Sequence, residues 1–555
     1  MKEVFFLVIL SGLFFSFFEN SYYPLILEKE FFFYLFLPIL FFFNFKNIKK
    51  IYFPKFSKVF YILFFISIFI SLIGNFNNEW FIFLDYFQAV GYLFLFIFIY
   101  QFFCSLDERE KNNIFKIFIV CTFIQKIIAI IQLMGYFTFA GLSGRSSITA
   151  LIGNPNILSY ILVISGIISF ILYKKENNRF YLYLTIFDVI FPFILFSRGA
   201  ILGIIFLIFY FFGIKKAFIA GSAGLILAFF IGFRTNIIND SVFQRIFIWK
   251  NALIQFSENI FTGIGFGNFK NAFPYFNIKV FKPFYSAFIP ENTYAMQTHN
   301  DFLQFISETG ISGFILIILF FIFLWKNRNF SNYLLSAVYF TMIFAFFDFP
   351  FHNISSSFVF IMVFSYAIPS ENINLNFKKS KKILLFILLG FLTLRVCYHG
   401  MKYNISYIYL SKALKENNIQ EKYKLLEYSV YLHDNAHSYY EKGNIELYLK
   451  NNEKAVKSFS KALTISGQSA VRSHIANILY ISNDLKQCLI FYEDAWKKDP
   501  FNLNNLLKLI EISEKLDEQE KAMYYINLND EINNYRKLGG NNGALEILYK
   551  EIKKR

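Results

Sequence analysis

Runs of Phe, Ile and Leu follow one another along the first 400 residues, separated by short polar joints, and the pattern breaks in two places. Apolar stretches lie at about 4–18, 31–45, 59–73, 82–103, 114–134, 157–173, 180–196, 199–214, 217–233, 311–325, 333–348, 354–368 and 383–398. Most approach the length that a helix needs to cross the hydrocarbon core of a bilayer. The pattern therefore predicts an all-α fold: a polytopic membrane helix bundle of about 12–13 spans over residues 1–400. The first break is a polar island at 234–310, too long for a simple turn between spans. The second is everything from 401 to 555, where Lys, Glu, Asn and Tyr take over with a helical period. The first run follows little charge beyond Lys2 and has no small-residue cleavage site after it, so it reads as a span and not as a removed signal.

Composition agrees with this division. The chain is 56% hydrophobic with 81 Phe among 555 residues, which excludes a single soluble core. Basic residues gather in alternate joints, with Lys46, Lys49, Lys50, Lys55 and Lys58 in one, Lys174, Lys175 and Arg179 in another, and Lys378, Lys379, Lys381 and Lys382 in a third. Such joints face the cytoplasm, so the 234–310 loop and the region after 400 are expected outside. The net charge is +16, but residues 401–555 hold 23 Lys and Arg against 20 Asp and Glu. The excess therefore belongs to the membrane part, and nucleic acid is a poor partner. Cys104, Cys121, Cys397 and Cys488 support neither a disulfide framework nor a cysteine metal site.

Self-similar helices mark the C-terminal region. Glu453-Lys454-Ala455 through Phe459 to Ala462 resembles Gln487-Cys488 through Tyr492 to Ala495, a step of 33, and Cys488 to Ala522 is a step of 34. With Asp499-Pro500 breaking the helix between units, this period resembles tetratricopeptide repeats. The resemblance implies an α-helical solenoid over 401–555 that holds a protein partner and performs no chemistry. An irregular helical tail is the alternative.

The polar groups that could do chemistry gather in the outer joints. They are Gly153-Asn154-Pro155-Asn156, Ser197-Arg198-Gly199, Phe243-Gln244-Arg245 with Trp249, and Thr298-His299-Asn300-Asp301 running on to Gln304 and Glu308. An arginine at a membrane interface is costly unless it meets an anion, and its planar fork suits diphosphate oxygens, so Arg198 and Arg245 are candidate anion binders. The alternative is that each snorkels to lipid phosphate. Thr298 and Asp301 fit a capping box, which would put His299 in the first turn of a helix reaching about Glu308. A neutral imidazole there could accept a proton from a sugar hydroxyl. Asn154 and Asn156 could cap a span or touch substrate, and Asp301 could orient His299 or only cap its helix. His352 has no second histidine at ligand spacing, and no metal site or cofactor is expected. Gly263, Gly265 and Gly267 match neither a dinucleotide nor a P-loop spacing and read as a tight turn.

Taken in order, with Gly263-Ile264-Gly265-Phe266-Gly267 between the last two and Asp348-Phe349-Pro350-Phe351-His352-Asn353 near the end, these motifs resemble the O-antigen ligase and O-antigen polymerase superfamily over roughly residues 55–370. The resemblance implies a metal-independent inverting glycosyltransferase in the bacterial inner membrane, with the catalytic loop and the repeats in the periplasm. The donor would be a glycan on undecaprenyl diphosphate and the acceptor a sugar hydroxyl. Lipid A–core is the first expectation, a growing glycan chain (polymerase) the second, and a protein hydroxyl (oligosaccharyltransferase) the third. His299 would be the base, Arg198 and Arg245 the diphosphate ligands, and Asn154, Asn156, Asn300, Asp301 and Asp348 supporting residues. A transporter, or a membrane anchor displaying the repeats, is the non-enzymatic alternative. Against it, the spans hold few charges, Asp85 and Asp188 being the clearest.

Overall fold

A computed structural model describes residues 2–15, 29–30, 34–35, 38–39, 50–56, 58–136, 148–212, 237–291, 294–327, 332–368, 370–374, 379–465 and 469–539. The N-terminal bundle is built from α1 (Lys2–Phe15), α2 (Lys58–Ile73), α3 (Phe83–Cys104), α4 (Glu108–Leu133), α5 (Pro155–Glu176), α6 (Arg179–Ile194) and α7 (Arg198–Phe212). The polar loop contributes α8 (Ile237–Glu258), α9 (Phe269–Val280), a 3₁₀ turn at Pro283–Ala287, and α10 (Asp301–Thr309). Then come α11 (Ile311–Lys326), α12 (Tyr333–Ala345), α13 (Ile354–Ala367) and α14 (Lys379–Lys415). Asparagine starts many of these helices, because its short amide accepts a backbone N–H that would otherwise be orphaned. Asn154, Asn178, Asn332 and Asn353 do so for α5, α6, α12 and α13.

The described helices bear on only part of the predicted span count. Among the described residues only α4 and α5 are both long and apolar enough to cross a membrane. Lys58–Ile73, Arg198–Phe211, Ile311–Lys326, Tyr333–Ala345 and Ile354–Ala367 are apolar but shorter. At 1.5 Å per residue, a 16-residue helix such as α2 covers about 24 Å of a core near 30 Å. The expected span at 217–233 and most of that at 31–45 lie outside the described residues. The last apolar run does not stop where its hydrophobicity does, since α14 continues through residue 400 as one 37-residue helix.

Inside the bundle α4, α5, α12 and α13 bury their apolar faces in one core that includes Phe118, Tyr160, Phe344 and Val359. Asp188 of α6, noted from the sequence, lies against Lys126 of α4 at 2.6 Å, both side chains almost fully buried. Each charge is tolerable in that setting only beside the other. At one end, β1 (Lys50–Pro54) pairs antiparallel with β2 (Ser370–Asn374), a two-stranded addition to the expected all-helical fold. It ties together two of the lysine-rich joints. At the start of the polar loop's second helix, Asp85 of α3 takes Lys270 at 2.9 Å and Asn271 at 2.8 Å, which fixes α9 to the bundle.

Beyond α14 the chain forms a ladder: α15 (Ile419–Leu432), α16 (Ala436–Tyr448), α17 (Asn452–Ile465), α18 (Ser469–Ile481), α19 (Leu485–Lys498), α20 (Leu503–Lys515) and α21 (Gln519–Gly539). Every second helix restarts 33 or 34 residues on, so the period read from the sequence is a period of helix pairs. Close approach sets the small residues: a Cβ on Gly443 of α16 would meet Phe459 of α17 at 2.6 Å. The ladder packs directly on the polar loop. Phe501 and Tyr535 share a core with Phe247, Phe273 and Tyr285. Around them Asn277 donates to the Lys498 carbonyl at 2.7 Å and Arg536 meets Glu291 at 3.0 Å.

Candidate functional site

The loop folds around α10, a nine-residue helix. Its cap is Asn300, whose side chain accepts the Leu303 N–H at 3.0 Å. This corrects the predicted Thr298–Asp301 capping box. Thr298 instead closes a smaller turn, its hydroxyl donating to the Asn300 carbonyl at 2.5 Å and accepting the Asn300 N–H at 3.1 Å. His299 therefore sits outside the helix, at φ +54, one residue before the cap. A β-carbon at positive φ is unfavourable, and the turn holds it there. Asparagine won the cap because the hydroxyl was already engaged.

That conformation points the ring at Asp348. His299 Nδ1 lies 3.7 Å from Asp348 Oδ1, with the Asp348 side chain 1% exposed and the His299 side chain 35% exposed. Nδ1 is buried without a hydrogen bond, so the open edge of the ring is the one that carries Nε2. Phe349 closes the other side edge-on, 5.1 Å between ring centroids. Residues one turn apart on α8 hold both strands of this junction. Arg245 donates to the Phe347 carbonyl at 2.8 Å, and Trp249 donates to the Thr298 carbonyl at 2.9 Å. Burial pulls the Arg245 guanidinium below its ordinary value, the Asp348 carboxylate opposes this, and Arg198 adds to it. The two arginines and Asp348 thus share one electrostatic neighbourhood. Arg198 itself opens α7 with its side chain exposed.

Beneath His299 runs a polar chain that is buried at Thr298, Asp301, Gln304 and Glu308 and opens at His352, whose side chain is 33% exposed. Gln304 accepts the Thr298 N–H at 3.1 Å, donates to Glu308 Oε1 at 3.0 Å and meets His352 Nε2 at 2.9 Å. His352 Nδ1 lies 2.5 Å from Asp301 Oδ1, while Asp301 Oδ2 accepts the Phe351 N–H at 2.8 Å. Asp301 therefore orients His352 and not His299. Burial pushes both the Asp301 and Glu308 carboxyls up, against the pull of His352. For His352 burial acts downward, but the Asp301 and Glu308 carboxylates outweigh it and the imidazole is raised. Glu308 Oε2 also accepts the Gly267 N–H at 2.9 Å. The glycine turn wraps the end of α10 so closely that a Cβ on Gly263 would sit 2.3 Å from the Glu308 backbone.

The structure brings together His299, Arg245, Asp301 and Asp348, with Asn300 as cap and Arg198 beside Arg245 electrostatically. Asn154 is engaged elsewhere: its side chain accepts the Asn156 and Ile157 N–H groups and caps α5. Asn156 lies half-buried in the first turn of that helix. The sequence motifs contain Trp249, Gln304, Glu308 and His352 without giving them a role; the only signal is the four-residue spacing of Gln304 and Glu308 on α10, which puts those two on one face. A cleft of about 540 Å³ lies far along the chain in the helix ladder, lined by Asn477, Tyr492 and Asn505 among others, and is separate from His299.

Residues 183–318 match the family model described as O-antigen ligase. The match spans Arg198, Arg245, His299 and Glu308 and stops before Asp348, short of the wider stretch over which the motifs run. Over this stretch the chain is similar to a superfamily of membrane proteins that act as glycan ligases or polymerases. No curated protein matches the chain.

Proposed function

We propose that this protein transfers a glycan from undecaprenyl diphosphate to an acceptor sugar hydroxyl at the outer face of the bacterial inner membrane, with lipid A–core as acceptor. The observation that carries the reading is the approach of His299 to Asp348 beside Arg245, inside a stretch similar to O-antigen ligases. His299 Nε2, on the open edge of the ring, takes the proton of the acceptor hydroxyl, and Asp348 steadies the imidazolium that results. The hydroxyl oxygen attacks the anomeric carbon while the bond to the diphosphate breaks, so the configuration inverts. Arg198 and Arg245 stabilise the departing diphosphate oxygens. No metal or cofactor takes part in this scheme. The helix ladder is a tetratricopeptide-like solenoid on the periplasmic side, where it recruits a protein partner.

The test is transfer from purified lipid-linked glycan by detergent-extracted protein. His299→Ala is expected to abolish transfer while remaining folded and inserted. Normal turnover by that variant would remove His299 from the mechanism.

A further inference from the structure

Three neighbours fix the Gln304 side-chain amide. Its Oε1 accepts from the Thr298 N–H, and a backbone N–H can only donate, so the amide cannot be turned over without losing that bond. Its Nε2 therefore faces both Glu308 Oε1 and His352 Nε2, and gives one proton to each. It follows that His352 Nε2 accepts and that the ring's proton lies on Nδ1, toward Asp301 Oδ1. Every member of the chain is satisfied in this one arrangement. A second proton on His352 would set two donors against each other at 2.9 Å. Gln304 would then have to rotate, and its carbonyl would leave Thr298, the residue that carries His299 into its strained turn.

We propose that His352, neutral and with its proton on Nδ1, is a positioning residue for His299, acting through the Gln304 carbonyl on Thr298, and that protonation of His352 releases this hold. The inference rests on His299 being the base. The groups facing His352 are Asp301 and Glu308 from α10, with Asp348 acting on Asp301 from the α12–α13 junction. The two α10 carboxylates favour the extra proton, so the release begins at a higher pH than for an ordinary histidine, and the arrangement is intact above it.

The experiment is kcat against pH for the full chain in detergent, with purified lipid-linked glycan and a saturating acceptor. Two protonations, of His299 and His352, should stop the wild type, giving an acid limb with a limiting slope of about two. In His352→Gln the side-chain carbonyl still accepts from Gln304 but does not titrate. Its acid limb should fall with a slope of about one, and its plateau kcat should stay within about tenfold of wild type. His352→Leu, which cannot accept at all, should lose about 10²-fold in kcat with little change in KM, as expected for a misplaced base. A wild-type slope of one, or a His352→Gln profile that keeps the wild-type slope, would overturn the proposal. His299→Ala separates the two ideas: if it is inactive while both His352 variants behave as wild type, only the positioning role fails. If it is active, the base assignment fails and the positioning role with it.

Discussion

At the scale of single residues, the site is a set of side chains whose neighbours leave them few alternatives. Asp348 has almost no exposure and faces His299 Nδ1, so Asp348→Asn should keep the fold but lose the charge proposed to steady an imidazolium at His299. We expect kcat to fall by about 10²–10⁴-fold with KM little changed, measured in the transfer assay. The arginines differ from each other. Arg245→Lys loses both the fork that suits a diphosphate and the reach to the Phe347 carbonyl, and leaving that carbonyl bare costs about 1–3 kcal/mol. Arg198→Lys keeps the charge at an exposed helix start, so its loss should appear in transfer and not in the melting temperature. Full transfer activity in both lysine variants would show that positive charge alone suffices.

At the scale of elements, the loop depends on a turn that only glycine permits. Gly263→Ala places a Cβ 2.3 Å from the Glu308 backbone at φ +61, whereas Gly135→Ala, at φ +81, meets nothing within 4 Å. The first should destabilise the loop by at least about 1–3 kcal/mol and the second by backbone strain alone, a difference visible in thermal melts of the detergent-solubilised variants. This turn was legible in the sequence, since three spaced glycines outside any nucleotide motif mean a bend. The cap of α10 was misread because Thr298 and Asn300 are both capping residues, and local spacing does not say which is already engaged. The pairing of His352 with Asp301, 51 positions apart, was out of reach of any spacing rule. The apolar runs showed where the bundle helices lie, and the structure changed their lengths: several stop short of a bilayer's thickness, and α14 runs on past its apolar part.

At the scale of the whole molecule, the repeat period was readable but its docking was not, because Phe501 and Tyr535 look like ordinary apolar positions of a helical array. Phe501 is 1% exposed and lies edge-on to Phe247 and Phe281, so the ladder completes the hydrophobic core of the polar loop. Phe501→Ala should cost about 3–5 kcal/mol, and cutting the chain near residue 400 should lower the melting temperature of what remains by uncovering that face. An unchanged melting temperature in both would mean the two parts are independent. The proposed reaction is a displacement at an outer-face site formed by the loop and the bundle. Its most direct test uses the purified full chain in lipid nanodiscs with lipid-linked glycan and an acceptor glycolipid, following both free undecaprenyl diphosphate and the configuration of the new linkage. The prediction is one diphosphate released per glycan joined, only when acceptor is present, with the anomeric centre inverted. Glycan left on its lipid carrier, or joined with retention of configuration, would contradict it.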